Sequence, residues 1–152
     1  MKITIDSLLN QKLITEEQIG FDQIIKHIER ARQDLKVSKA NLKIDSEAAC
    51  NYAYLAMLRT GRALMFSFGF RPIDGQQHKT IVIFAEVVLG KNFSLLLAHF
   101  DRLRKFRNRF TYEEPGILVS RQQTEDALKN ASQFVGKVTE FIHQKNPQIK
   151  LL

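Results

Sequence analysis

From Ala48 to Phe68 the chain holds a segment of helical length that is apolar nearly all round, slimmed by Ala48, Ala49, Ala53, Ala56 and Ala63. A helix with no polar face has no side to give to water, and small side chains let neighbours approach closely. Such a helix belongs at the centre of a bundle. Ser46 is the expected N-cap, because a hydroxyl there can take an amide hydrogen that the first helical turn leaves unpaired. The only charges in the segment after Glu47 are Arg59 and Arg62, one turn apart. Two readings stay open for them: they line a polar crevice, or they reach the bundle's end and pair with acids.

The flanking segments supply the partners that this helix needs. Phe21, Ile24, Ile25, Ile28, Ala31 and Leu35 recur at helical spacing, with Lys26, Glu29, Arg30 and Gln33 opposite, which predicts an amphipathic helix. His27 reads as a surface or boundary residue of it. Before it, residues 1–19 read as a lead-in with a short helical turn over Ser7–Leu13 and a capping pattern at Thr15 and Gln18. Gly69–Gly75 reads as a loop by its glycines and proline. The β-branched run Ile81–Leu89 suits a strand, yet with no second strand-like run to pair with it a short helix is expected. A fourth helix is predicted over Ser94–Tyr112. A last one, capped by Ser120 or Thr124, carries Ala127, Leu128, Ala131, Phe134, Val135, Val138, Phe141 and Ile142 on one face, with Gly136 offering close packing and His143 favouring the C-terminal dipole. The expected fold is an all-α, up-and-down bundle of about five helices over residues 20–145, followed by a frayed tail over 146–152.

At 152 residues one domain is expected. Lys and Arg total 23 against 16 Asp and Glu, a formal net charge of +7 that attracts polyanions without specifying one. The single cysteine, Cys50, rules out an internal disulfide framework, and its apolar helix makes it a core residue. Neither a secretory apolar segment nor a membrane-length apolar run occurs, so the cytoplasm is the expected location. His27, His78, His99 and His143 have no zinc-type spacing, and neither a metal nor a cofactor is expected. Glycine-rich phosphate loops and a nucleophile elbow are absent as well.

What chemistry the chain offers is concentrated in Asp101–Tyr112, where five basic residues are interleaved with apolar and aromatic ones. At about 100° per residue, Leu96, Phe100, Leu103, Phe106 and Phe110 fall within an arc of roughly 120° that faces a core. Arg102, Lys105 and Arg109 cluster elsewhere, as on an ordinary solvated face. Arg107 falls inside the apolar arc, where a guanidinium must be paired or reach a wet crevice. It marks either a structural ion pair or a site. Asn108 adds an amide and Tyr112 a phenol, and Pro115, lacking an amide hydrogen, ends the helix there. A fork-shaped cation, an amide and a phenol at a helix end suit a phosphate.

The alanine-rich Ser46–Met57 helix leading to Gly69-Phe-Arg-Pro72, then Gln77-His-Lys-Thr80, then Leu103-Arg-Lys-Phe-Arg-Asn-Arg-Phe-Thr-Tyr112 resembles the HEPN domain (higher eukaryotes and prokaryotes nucleotide-binding), a small helical bundle. The resemblance implies a homodimer in which two Arg-Asn segments face a shared cleft. In many members that cleft cleaves RNA without metal, and those members carry a histidine after an interval of four to six residues from the arginine. This chain has Tyr112, Glu113 and Glu114 there, and no histidine between Arg107 and Gly116. Histidine, with a pKa of about 6.5, exchanges protons near neutrality, whereas tyrosine at about 10 does not. Family members are also often paired with a minimal nucleotidyltransferase as toxin and antitoxin, and in some a tyrosine near the motif receives nucleotides. Tyr112 is the only tyrosine near the motif here.

The expectation from the sequence is a HEPN-like, non-catalytic binder of nucleotide or RNA phosphates, using Arg102, Arg104, Lys105, Arg107, Asn108, Arg109 and Tyr112. One alternative is a metal-independent ribonuclease toxin with Arg107, Asn108 and Tyr112 catalytic, or with His78 or His99 standing in for the motif histidine. The other is an adaptor whose basic helix docks an acidic partner.

Overall fold

A computed structural model of the chain describes residues 2–73, 75, 77–114 and 119–148. Six α-helices are present among them: α1 (Ile5–Asn10), α2 (Phe21–Ala40), α3 (Ser46–Ser67), α4 (Gln77–Leu89), α5 (Ser94–Asn108) and α6 (Arg121–Lys145). The architecture is an all-α, up-and-down bundle in which α2 to α6 are the five helices expected from the sequence. α3 lies at the centre, packed most extensively on α2 and α6 and touching α4 and α5 as well. Ala49, Ala53, Ala56 and Ala63 are fully buried, and Tyr54, Phe100 and Phe134 run through the core as a chain of ring contacts at 6.1 and 5.1 Å. None of the helices described is long and apolar enough to cross a membrane.

Several local expectations are corrected. Asp45, not Ser46, caps α3, its carboxylate accepting from the Ala48 amide at 3.1 Å. The early helical turn is Ile5–Asn10, capped by Thr4, and Thr15 lies in a strand rather than in a helix cap. That strand, β1 (Ile14–Glu16), pairs antiparallel with β2 (Phe70–Pro72), Thr15 opposite Arg71, so part of the expected loop after α3 is ordered by backbone pairing. Through it Ile14 enters the core, as Leu8 does from α1. Ile81–Leu89 is helical, and the tiny sheet does not involve it. Ser120 is the cap of α6, in a reciprocal box with Gln123. Phe21 is exposed, and Gly136 is a surface position with open space around it. The tail residues 149–152 lie outside the described residues, as do Pro115 and Gly116.

Gly61 is the glycine that close packing requires. A Cβ there would sit 2.6 Å from Ile81 Cγ2, on a β-branched side chain with little freedom to yield. Asp34 is the polar group that the core requires. It is fully buried on α2, accepts from Arg59 Nε at 2.6 Å, and has Arg30 Nε 3.2 Å from its other oxygen, near enough for attraction but not aligned for a hydrogen bond. Arg59 is thus a structural partner of an acid.

Two substitutions test this packing. Gly61→Ala gains helix propensity but overfills the α3–α4 contact, a net loss of about 1 kcal/mol. Asp34→Asn weakens a charged hydrogen bond to a partly exposed arginine, a loss of about 2 kcal/mol. Urea unfolding followed by circular dichroism measures both, and a neutral result for either removes its assigned contact.

Candidate functional site

Leu96, Phe100 and Leu103 bury one face of α5 and fix the rotation of everything that follows them. After Asn108 the helix widens into a π turn over Arg109–Glu113, with the Glu114 amide donating to the Arg109 carbonyl at 2.7 Å. Phe110 is buried within this turn and meets Phe106 edge to face at 5.5 Å, while Tyr112 is 70% exposed. Core packing thus anchors the turn, and Tyr112 is free to stand over its neighbour.

That neighbour is Arg107. Its Nε donates to Asn51 Oδ1 at 3.0 Å, and one terminal nitrogen lies 3.5 Å from the Tyr112 hydroxyl, at the outer limit of a hydrogen bond. The guanidinium carbon is 5.6 Å from the centre of the Tyr54 ring and 5.4 Å from that of Tyr112, so the cation stands against two aromatic faces. All of these partners are neutral. Three other basic side chains nearby differ: Arg104 and Lys105 pair with Asp101 at 2.9 and 3.1 Å, and Arg109 pairs with Glu114 at 3.2 Å. Desolvation pushes the Asp101 carboxyl up, but hydrogen bonds from Lys105 and Arg104, with their charges, outweigh it and hold the carboxyl below its usual range. Arg107 keeps a charge that no carboxylate among the described residues cancels.

A cavity of about 480 Å³ opens in front of it, lined by Arg104, Arg107, Asn108 and Tyr112 from one side and by Gln77, His78 and Lys79 at the start of α4 from the other. His78 Nδ1 lies 2.9 Å from the Tyr54 hydroxyl. Tyr54 is fully buried, its phenol pushed above its ordinary value by burial although the charges of Arg107, Arg104 and Arg62 pull the other way. The phenol therefore keeps its proton. His78 is the only partner of that hydroxyl among the described residues, and satisfying the buried phenol proton favours the arrangement in which it is donated to Nδ1 and the imidazole hydrogen sits on Nε2. Burial, then the charges of Arg107, Arg62 and Arg104, hold the His78 pKa below 6.5, leaving the ring neutral at pH 7.

A family model for the HEPN domain matches residues 25–141, well over half of the chain. The chain belongs to the HEPN domain family. No curated protein matches it significantly. HEPN membership implies a nucleotide- or RNA-related function, and the matched region contains every residue lining the cavity.

The seven basic, amide and phenol residues singled out in the sequence divide between two faces of the HEPN bundle. Arg104, Arg107, Asn108 and Tyr112 share the cavity just described. Arg102, Lys105 and Arg109 face away from it, lining a separate hollow of about 450 Å³ with His99, Phe106 and Asp126 against α6. Asn51 and Tyr54 were not singled out as site residues, although their polar tips on an apolar helix, three residues apart, demand partners. Nor was Lys79. His78 enters the cavity through the start of α4, whereas His99 does not line it.

The imidazole environment is measurable. By NMR titration His78 has a midpoint below 6.5 that rises toward 6.5 in Arg107→Ala, because one of the positive charges opposing protonation is gone. His27 is depressed too, chiefly by burial and then by the charges of Arg62 and Arg59, against a backbone hydrogen bond that pulls it up. As pH falls below 6.5 the unfolded chain then takes up these protons before the folded one. Stability, measured by urea unfolding, is expected to decrease through that window until the folded values are passed.

Proposed function

We propose that this HEPN domain binds RNA or nucleotide phosphates in the cavity of Arg107, Asn108, Lys79 and Tyr112, without cleaving them. The observation that carries this reading is the Arg107 guanidinium, fixed by Asn51 and two tyrosine rings yet uncompensated by any acid among the described residues. A cation already oriented by neutral groups gives its full charge, and its remaining donors, to an arriving phosphate oxygen. The exposed Tyr112 ring at the cavity edge offers a face on which a base can stack. By analogy with the family, we take a second copy of the chain to complete the cleft and a minimal nucleotidyltransferase-type antitoxin to be a partner, with the Tyr112 hydroxyl as the group that such a partner would modify.

A second reading is a metal-independent ribonuclease, favoured by the presence of His78 in the same cavity. For the ring to take the ribose 2′-hydroxyl proton at Nε2, its own hydrogen must move to Nδ1 and Tyr54 must turn from donor to acceptor. The surrounding cations also disfavour the imidazolium. Both effects weigh toward binding.

Incubating the protein and Arg107→Ala with a mixed RNA pool in chelator, across a range of salt, separates these readings. Loss of one charged hydrogen-bonding group lowers affinity by at least about tenfold, and wild-type binding weakens as salt rises. Arg107-dependent binding with intact RNA is the expected result. Arg107-dependent cleavage would install the ribonuclease reading, and unchanged affinity in a folded variant would leave only an adaptor. A light-scattering mass of one chain would remove the shared cleft.

A further inference from the structure

On the other side of Gln77 lies a second basic hollow, of about 330 Å³, between the α2 and α3 surfaces and β2. Arg62 stands in it, one turn along α3 from Arg59. The two arginines have different surroundings. Arg59 is neutralised by buried Asp34, whereas Arg62 is half-buried with no carboxylate or hydrogen-bond partner among the described residues. Burial, then the like charges of Arg59 and Arg71, disfavour its cationic form. Arg71, at the rim, already pairs with Glu17 and does not share that deficit. A desolvated guanidinium facing other cations is costly unless an anion comes to it. The wall beside it is fixed: His27 donates from Nδ1 to the Gln23 carbonyl at 2.8 Å and sits edge-on to Phe66 at 5.0 Å.

Gln77, the first residue of α4, lines both hollows. Arg107 and Arg62, neither paired with a carboxylate among the described residues, therefore stand in cavities that share Gln77 as a wall. Adjoining cavities with a cation in each suit successive phosphates of a single strand.

We propose that the Arg62 hollow is a second phosphate subsite continuous with the Arg107 cavity, so that the ligand is a single-stranded polynucleotide laid across the start of α4. This rests on the Arg107 cavity being a phosphate site. The strand crosses Gln77, one phosphate against Arg107 and a neighbouring one against Arg62, with the His27 and Phe66 wall behind the latter.

The test compares adenosine monophosphate with an eight-nucleotide oligoadenylate, using calorimetry and fluorescence anisotropy, on the wild type, Arg62→Gln, Arg62→Lys and Arg107→Ala, each checked for helicity. Arg62→Gln keeps the side chain's bulk and removes its charge. It is expected to weaken the oligonucleotide about tenfold, to lower the slope of log affinity against log salt by about 0.7, and to leave the monophosphate unchanged. Arg62→Lys retains that slope, and Arg107→Ala weakens both probes. If Arg62→Gln binds the oligonucleotide like the wild type, or loses both probes equally, the second subsite is overturned while the Arg107 site stands. Should Arg107→Ala alter neither probe, the Arg107 reading falls and this inference with it. A wild-type salt slope for the dinucleotide pApA no steeper than that for the monophosphate also overturns the subsite, independently of any variant.

Discussion

Burial of α3 on almost every side is the constraint on which the rest of this bundle depends. Four helices must reach the same central rod, and its alanines together with Gly61 let them come close enough to exclude water. A rod enclosed in this way cannot carry polar atoms idly. Asn51 and Tyr54 emerge toward α5 and α4, Arg59 toward α2, and Arg62 toward the small sheet, and each meets something chosen by the element packed there. The polar features of the molecule are thus set by where a buried helix lets its few hydrophilic tips escape.

Two contrasting electrostatic situations stand out among the basic residues. Arg30, Arg59, Arg104, Lys105, Arg109 and Arg121 are matched to acids, mostly within a turn or two of their own helices, and their charges are spent locally. Arg107 is matched to an amide and two phenol rings, which orient it and leave its charge unopposed by any carboxylate among the described residues. The net charge of +7 by itself says little about a ligand, because matched cations contribute to it as fully as unmatched ones. The pairing pattern is what distinguishes a binding residue from a solvated face.

Much of this was legible in the chain. Apolar spacing located α2, α5 and α6, because a period near 3.6 leaves a clear stripe on helices of this length, whereas α3 was legible as a rod apolar nearly all round and α4 by the lack of a strand to pair with it. The conflict between the charge of Arg107 and its place on the apolar arc of α5 singled it out, and a polar crevice does receive it. Other features depended on contacts that no local pattern carries. Asp34 sits on the buried stripe of α2 because Arg59, 25 residues away, reaches it. The pairing of Ile14–Glu16 with Phe70–Pro72 joins two three-residue strands, each too short to show an alternation. Helical spacing already set Arg102, Lys105 and Arg109 on a face apart from Arg107, but that Arg104 joins the Arg107 cavity depends on how α5 is seated on its neighbours. The approach of His78 to Tyr54 joins residues 24 positions apart, which no single stretch of sequence encodes.

The π turn at the end of α5 has one more consequence. A π turn holds an extra residue relative to the helix that it interrupts, and in an α-helix each residue swings its neighbour's direction by about 100°. The Tyr112 ring covers Arg107 because the chain is one residue longer there than regular winding needs. Loss of one residue between Asn108 and Tyr112 would let the segment rewind and carry the ring about a quarter turn away, uncovering the guanidinium on that side while Phe100 and Leu103 kept the helix seated. The tip of this helix works as a vernier: chain length, independent of side-chain chemistry, sets how far the aromatic cover reaches over the charge.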